Sequence, residues 1–126
     1  SRQSYLNPQR REWLACLVAS QRINMSYAQV EMEVIRWGEA RGIVQNSNPM
    51  AQAWKTKEEV QELLDAISSN DREAMIDAYG DILVTLVMGC ATADLDLVEC
   101  FEHAYEQIKD RKGHLSPEGI FVKSDI

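Results

Sequence analysis

At 126 residues, 45% of them hydrophobic and 26% charged, the chain has enough material for one globular domain and too little for two cores. A formal net charge of -7 argues against a protein that coats nucleic acid through its phosphates. No apolar run approaches the roughly 18 residues of a membrane span, and the first residues lack a signal-peptide pattern, so the expected location is the cytoplasm.

Three cysteines, Cys16, Cys90 and Cys100, show no C-x-x-C spacing and read as buried reduced thiols rather than a disulfide framework or zinc site. In chain order, residues 8–20 place Trp13, Leu14, Leu17 and Val18 at helical spacing, with Pro8 suited to a first turn. A second helix is expected after Ser26 and up to Arg41, with Val30, Val34, Ile35 and Trp37 as its apolar stripe and Gly42 ending it. The polar stretch 44–48 reads as a loop. Pro49 opens a third helix to about Ile67 that should bury Met50, Ala53, Trp54, Val60, Leu63, Leu64 and Ile67.

A turn at 68–71, with Asp71 as cap, leads into a fourth helix whose inward face is Met75, Ala78, Ile82, Leu83, Leu86, Val87 and Cys90. Gly80 inside it suggests either the close approach of another backbone or ligand, or a tolerated flaw. Asp94 is expected to cap a last helix over 95–112, with Leu97, Val98, Phe101, Ala104, Tyr105 and Ile108 facing inward and Gly113 stopping it. The tail reads as a loop ending in a short extended piece at Ile120, Phe121 and Val122. The fold class is therefore all-α, an antiparallel bundle of four core helices plus an amino-terminal helix. It is a single domain with an extension over 1–27, the bundle over 28–113 and a tail over 114–126.

Two acidic sets carry the functional reading. Glu58, Glu59 and Glu62 fall on one side of the third helix, and Asp77 and Asp81 on one side of the fourth. With the turn centred near Asn70, antiparallel pairing puts Glu59 level with Asp81 and Glu62 level with Ala78. Carboxylates so crowded repel, and Mg²⁺, which takes a few carboxylates, water and substrate phosphates, would offset that repulsion. The competing reading is a solvated acidic surface. His103 and His114 stand at no ligand spacing and read as surface residues, so a di-iron bundle is poorly supported. Lys55, one turn before Glu58, can reach the same pocket, whereas Lys57 points elsewhere. Lys109, Arg111 and Lys112 either complement the end of the last helix or bind phosphate, with Arg111 the best-suited clamp. Trp37, Trp54, Tyr79 and Tyr105 are available for stacking on a base or for the core, and Gln52 and Asn48 for polar contacts to base or sugar.

At these residues the chain resembles the MazG-like branch of the all-α nucleoside triphosphate pyrophosphohydrolases. The pieces are Trp37-Gly38-Glu39-Ala40-Arg41-Gly42-Ile43, then Pro49 with Gln52 and Lys55, then Glu58-Glu59-x-x-Glu62-Leu63, then Gly80-Asp81. The stretches 104–113 and 119–123 look like phage-type members, so the resemblance covers about residues 28–123. The family's second motif, Glu-x-x-Asp, ends at Asp81, but its Glu position is Ala78 here, with Asp77 one residue earlier as a substitute oxygen. The resemblance implies Mg²⁺-dependent hydrolysis, with Mn²⁺ an alternative ion, of a nucleoside triphosphate to monophosphate and pyrophosphate. It implies Glu59, Glu62 and Asp81 as metal ligands, Asp77 as a ligand or a group behind the ligands, and Glu58 as a ligand or the base that orients the attacking water. Substrate contacts would come from Gln52, Lys55, Trp37, Lys109, Arg111 and Lys112. It also implies a homodimer or homotetramer. A non-catalytic module that senses nucleotide or binds a partner, and a purely structural acidic bundle, are the alternatives.

Overall fold

The structure is a computed structural model and describes residues 24–124. The helix expected over 8–20, and Cys16 with it, lie outside those residues. Helix α1, Tyr27–Ala40, starts where Ser26 and Gln29 cap each other reciprocally: the Ser26 N–H donates to Gln29 Oε1 at 2.8 Å and the Gln29 N–H to Ser26 Oγ at 3.2 Å. Gly42 then adopts the left-handed conformation at φ 76°. Part of the stretch expected as a loop instead winds into a short helix, α2 (Ile43–Asn46), because Gly42 caps it and Asn46 Nδ2 donates back to the Gly42 carbonyl at 2.8 Å.

Asn48 accepts from the Ala51 N–H at 2.8 Å and Pro49 occupies the first turn, so α3 runs Pro49–Ser68. Asn70, at φ 54°, ends it with the Asp71 N–H donating to the Ala66 carbonyl. Asp71 accepts from the Ala74 N–H at 3.1 Å and opens α4, Arg72–Thr92. The next helix, α5, begins later than expected, at Leu97–Ile108, and Asp96 is its cap. Asp94 instead terminates α4 at φ 58°, with the Leu95 N–H donating to the Cys90 carbonyl at 2.8 Å. Beyond α5 the chain forms a hairpin of β1, Gly113–Leu115, and β2, Phe121–Lys123. The expected extended piece thus acquires a partner strand.

Helix α4 is central: α1, α2, α3 and α5 all touch it, whereas among the described residues α3 touches no other helix. The α3–α4 pair is antiparallel, and Thr56 Oγ1 meets Thr85 Oγ1 at 2.7 Å across it. On the other side α1 crosses at Gly38, where a Cβ would overlap the Met88 sulfur. Ala66, Ala78, Val87 and Met88 form the buried apolar core. That core is smaller than the sequence stripes suggest. Met50 (68% exposed) and Trp54 (58% exposed) face outward with Val60, Leu64 and Ile67, and so do Phe101, Tyr105 and Ile108 of α5. The physical reason is that α3 has one helical neighbour among the described residues, so its second apolar side is uncovered. Cys100 is exposed rather than buried, while Cys90 is half-buried.

Helix α4 is also, by length and composition, long and apolar enough to cross a membrane, contrary to the expectation that no run approaches that length. Four other helices touch it, 22% of that apolar window is buried, and it carries Asp77 and Asp81.

Candidate metal centre

Antiparallel pairing across the Asn70 turn brings Glu59 and Glu62 of α3 to Asp81 of α4, with one carboxylate oxygen from each lying within 4.8 Å of the others. Glu59 is buried despite its charge, and its Oε1 lies 3.5 Å from Lys55 Nζ. Its Oε2 is buried with no hydrogen-bond partner. A carboxylate oxygen in that position is costly unless something charged or protic meets it. The Glu62 carboxyl beside it and then burial push the Glu59 carboxyl above the usual carboxylate range. Burial, followed by the charges of Glu59 and Asp77, pushes Asp81 the same way.

These shifts fix a pH dependence. Between the ordinary carboxylate value and the raised values, the folded chain holds protons that the unfolded chain has released. Without divalent metal, stability should therefore rise as pH falls from neutrality into that window. Saturating metal, which competes with those protons, should flatten or reverse the trend. Urea titrations at about pH 7 and pH 5, with chelator and with Mg²⁺, measure it.

The remaining predicted residues take distinct places. Lys55 Nζ lies 3.1 Å from Glu58 Oε2, so Lys55 sits between Glu58 and Glu59, and its own pKa is raised chiefly by Glu58. Glu58 is exposed at the rim. Asp77 lies close enough to act on Asp81 by charge but stands outside the trio and faces the neighbouring cavity. Ala78 is 3% exposed, so a methyl group packs where the resembling family carries a carboxylate. Gln52 Nε2 donates to Ser47 Oγ at 3.0 Å on the side facing Gly89. Asn48 is occupied as the α3 cap. Trp37 carries the Arg41 guanidinium over its ring at 4.8 Å, and Lys57 lies 4.8 Å over Trp54. Lys109 pairs with Glu106 at 2.7 Å on its own helix. Arg111 and Lys112 are exposed beyond the end of α5, a helix that touches α1 and α4 but not α3.

A cavity of about 590 Å³ adjoins Asp81. Asp77, Gly80 and Asp81 form one edge, and apolar side chains including Val30, Leu83, Val87 and Phe101 form its body. Among the described residues its aromatics are Tyr27 and Phe101, not the four considered from sequence. Glu31 is the polar residue that sequence reasoning missed. It is buried, and its Oε2 accepts from the Val98 N–H at 3.2 Å, joining Asp96 in capping α5. Burial and then Asp96 raise its pKa. The one local signal was a carboxylate directly beside Val30 on an otherwise apolar stripe.

Gly80 has open space where a Cβ would be. Among the described residues no backbone approaches it, so Gly80→Ala should add about 1 kcal/mol of stability through helix propensity, measured by urea denaturation.

The fold and the site together define an all-α protein whose carboxylates converge across a helical hairpin in a set suited to a hard divalent cation. The chain belongs to the MazG nucleotide pyrophosphohydrolase domain family, whose match spans residues 48–116. That span holds α3, α4, α5 and the acidic trio, and membership supports nucleotide pyrophosphohydrolase chemistry in general. Comparison with curated proteins and with solved structures gave no match.

Proposed function

We propose that the chain hydrolyses a nucleoside or deoxynucleoside triphosphate to the monophosphate and pyrophosphate with Mg²⁺, Mn²⁺ serving as a substitute. The observation that carries this reading is the partnerless, buried Glu59 Oε2 beside the oxygens of Glu62 and Asp81. An orphaned oxygen within an all-oxygen donor set fits a hard cation. When bound, such an ion neutralises phosphate charge and lowers the pKa of water toward neutrality.

In this reading Glu59, Glu62 and Asp81 hold the ion, and Asp77 supports Asp81 from the cavity side. Glu58, exposed at the rim, accepts the proton of the attacking water at a carboxylate oxygen. Lys55, once Glu59 is engaged elsewhere, turns its ammonium to the phosphates. The apolar cavity beside Asp81 has a size typical of small-ligand sites, which run to ~300–1,000 Å³, and takes the base. Incubation with a panel of triphosphates and Mg²⁺ tests the assignment: pyrophosphate should appear with at least one of them, and its absence with all of them from folded protein would defeat it.

Buried Ala78 favours one second reading, a nucleotide sensor without turnover, because it removes a carboxylate from the site. In that case triphosphate should raise the melting temperature while pyrophosphate stays at background. Self-association belongs to either reading. The uncovered apolar residues of α3 and α5 form the type of surface that a second copy covers in a homodimer or homotetramer.

A further inference from the structure

The cavity beside Asp81 runs along one face of α4. Asp77, Gly80, Asp81, Val84 and Val87 line it at helical spacing, so it extends from the acidic edge toward the carboxyl end of that helix. From Asp81 to Val87 the helix rises about 9 Å. Toward that end stands Glu31 of α1: its Oε2 accepts from the Val98 N–H in the first turn of α5, and its charge reaches Cys90 in the last turn of α4. Glu31 is only 7% exposed, yet it lines the cavity. Among the described residues the other polar side chains there are the two aspartates at the edge and Tyr27, which is 77% exposed.

Around Glu31 acceptors outnumber donors. The Val98 N–H is shared between Glu31 and Asp96, at 3.2 Å to each, and the Leu97 N–H adds a weaker contact to Glu31. Two carboxylates thus divide two backbone donors in apolar surroundings, which is costly for the charged form. A ligand that brings a hydrogen-bond donor to this end of the cavity relieves the shortage, and one that brings a bare carbonyl worsens it. We propose that Glu31 selects the base: cytosine or adenine, whose exocyclic amino group donates to the Glu31 carboxyl, is taken in preference to uracil or thymine, which carry a carbonyl where cytosine carries that amino group. The ring lies among Val30, Leu83 and Phe101, and the length of the cavity along α4 is one that a sugar and a base bridge from a phosphate held near Asp81. The placing of the phosphates rests on the pyrophosphohydrolase reading; the choice of base rests on Glu31.

The triphosphates dCTP and dUTP differ only in that group, so their ratio is the test. With Mg²⁺, kcat/KM for dCTP should exceed that for dUTP about 100-fold, and dATP should likewise exceed dTTP. Glu31→Gln keeps the shape of the side chain. Its carbonyl stays on the Val98 N–H, which requires an acceptor, so its amide nitrogen takes the place of the second carboxylate oxygen and donates. The dCTP-to-dUTP ratio should then fall at least about 30-fold, with dUTP gaining in absolute rate. Were Glu31 only a cap for α5, the change would slow both substrates alike and leave the ratio where it was. An unchanged ratio in a variant of unaltered circular dichroism therefore overturns the proposal, and so does a wild type that hydrolyses both equally or prefers dUTP. If the variant does not fold, the wild-type ratio decides. A wild type inert toward every triphosphate defeats the pyrophosphohydrolase reading instead. Calorimetric titration with dCTP and with dUTP then decides the base: tighter binding of dCTP, lost in Glu31→Gln, supports the selection, and equal affinity or no binding of either overturns it.

Discussion

Glu59→Gln is expected to lower pyrophosphate release about a thousandfold and to abolish tight Mg²⁺ binding, with the helices intact. Glu59 is the member of the trio that sits inside the protein, and it alone presents a buried oxygen without a partner. An amide keeps the shape but loses the charge that attracts the ion. The same change relieves repulsion, because the raised pKa of Glu59 stems first from Glu62 and then from burial. Metal-free Glu59→Gln should therefore melt at or above the wild-type temperature at neutral pH. Added Mg²⁺ should raise the melting temperature of the wild type but not of the variant. Calorimetric titration with Mg²⁺, thermal melts and pyrophosphate release give the three readouts. A variant that binds Mg²⁺ as tightly as the wild type would remove Glu59 from the ligand set.

Ala78→Glu should give the opposite pattern. Position 78 is buried on α4, within one turn of Asp81, and the antiparallel pairing expected from the turn sets it level with Glu62. A carboxylate there enters a space now closed by a methyl group and joins acids that already repel. Without metal the substitution should cost about 2–4 kcal/mol. With Mg²⁺ the added oxygen becomes a ligand, so most of that loss should return and metal affinity should rise about tenfold. Urea denaturation with chelator and with Mg²⁺ resolves the two effects. Equal destabilisation in both conditions would place residue 78 away from the ion.

Much of this site was legible because one local rule generates it. A turn centred at Asn70 fixes which positions of α3 and α4 are level, and the Thr56–Thr85 hydroxyl contact obeys the same pairing that sets Glu59 opposite Asp81. Helical periodicity also identified the apolar stripes. It could not say which stripes are covered by the chain itself, since an apolar side chain reads the same whether it faces α4 or the outside, as Trp54 and Phe101 do. The start of α5 was ambiguous for a chemical reason: Asp94 and Asp96 are both good caps, and only the left-handed backbone at Asp94 assigns the first to the end of α4. Glu31 and the cavity beside Asp81 arise from the meeting of α1, α4 and α5, which no local spacing encodes. Similarly, the extended piece was visible at 120–122, one residue before the observed strand at Phe121–Lys123, but its partner at 113–115 was hidden by the basic run before it.

The Ser69-Asn70-Asp71 link has a consequence for how this chain can vary in length. Its hydrogen bonds to the last turn of α3 leave no slack, so it sets the rotational phase of α4 as well as its direction. One residue inserted there would turn α4 by about 100° relative to α3, carrying Asp81 away from Glu59 while leaving both helices individually sound. The outer turn of the hairpin at 116–120 has no such coupling to the acidic trio. Growth or loss of residues is tolerable at the tip of the hairpin, and forbidden at the hinge of the helical pair.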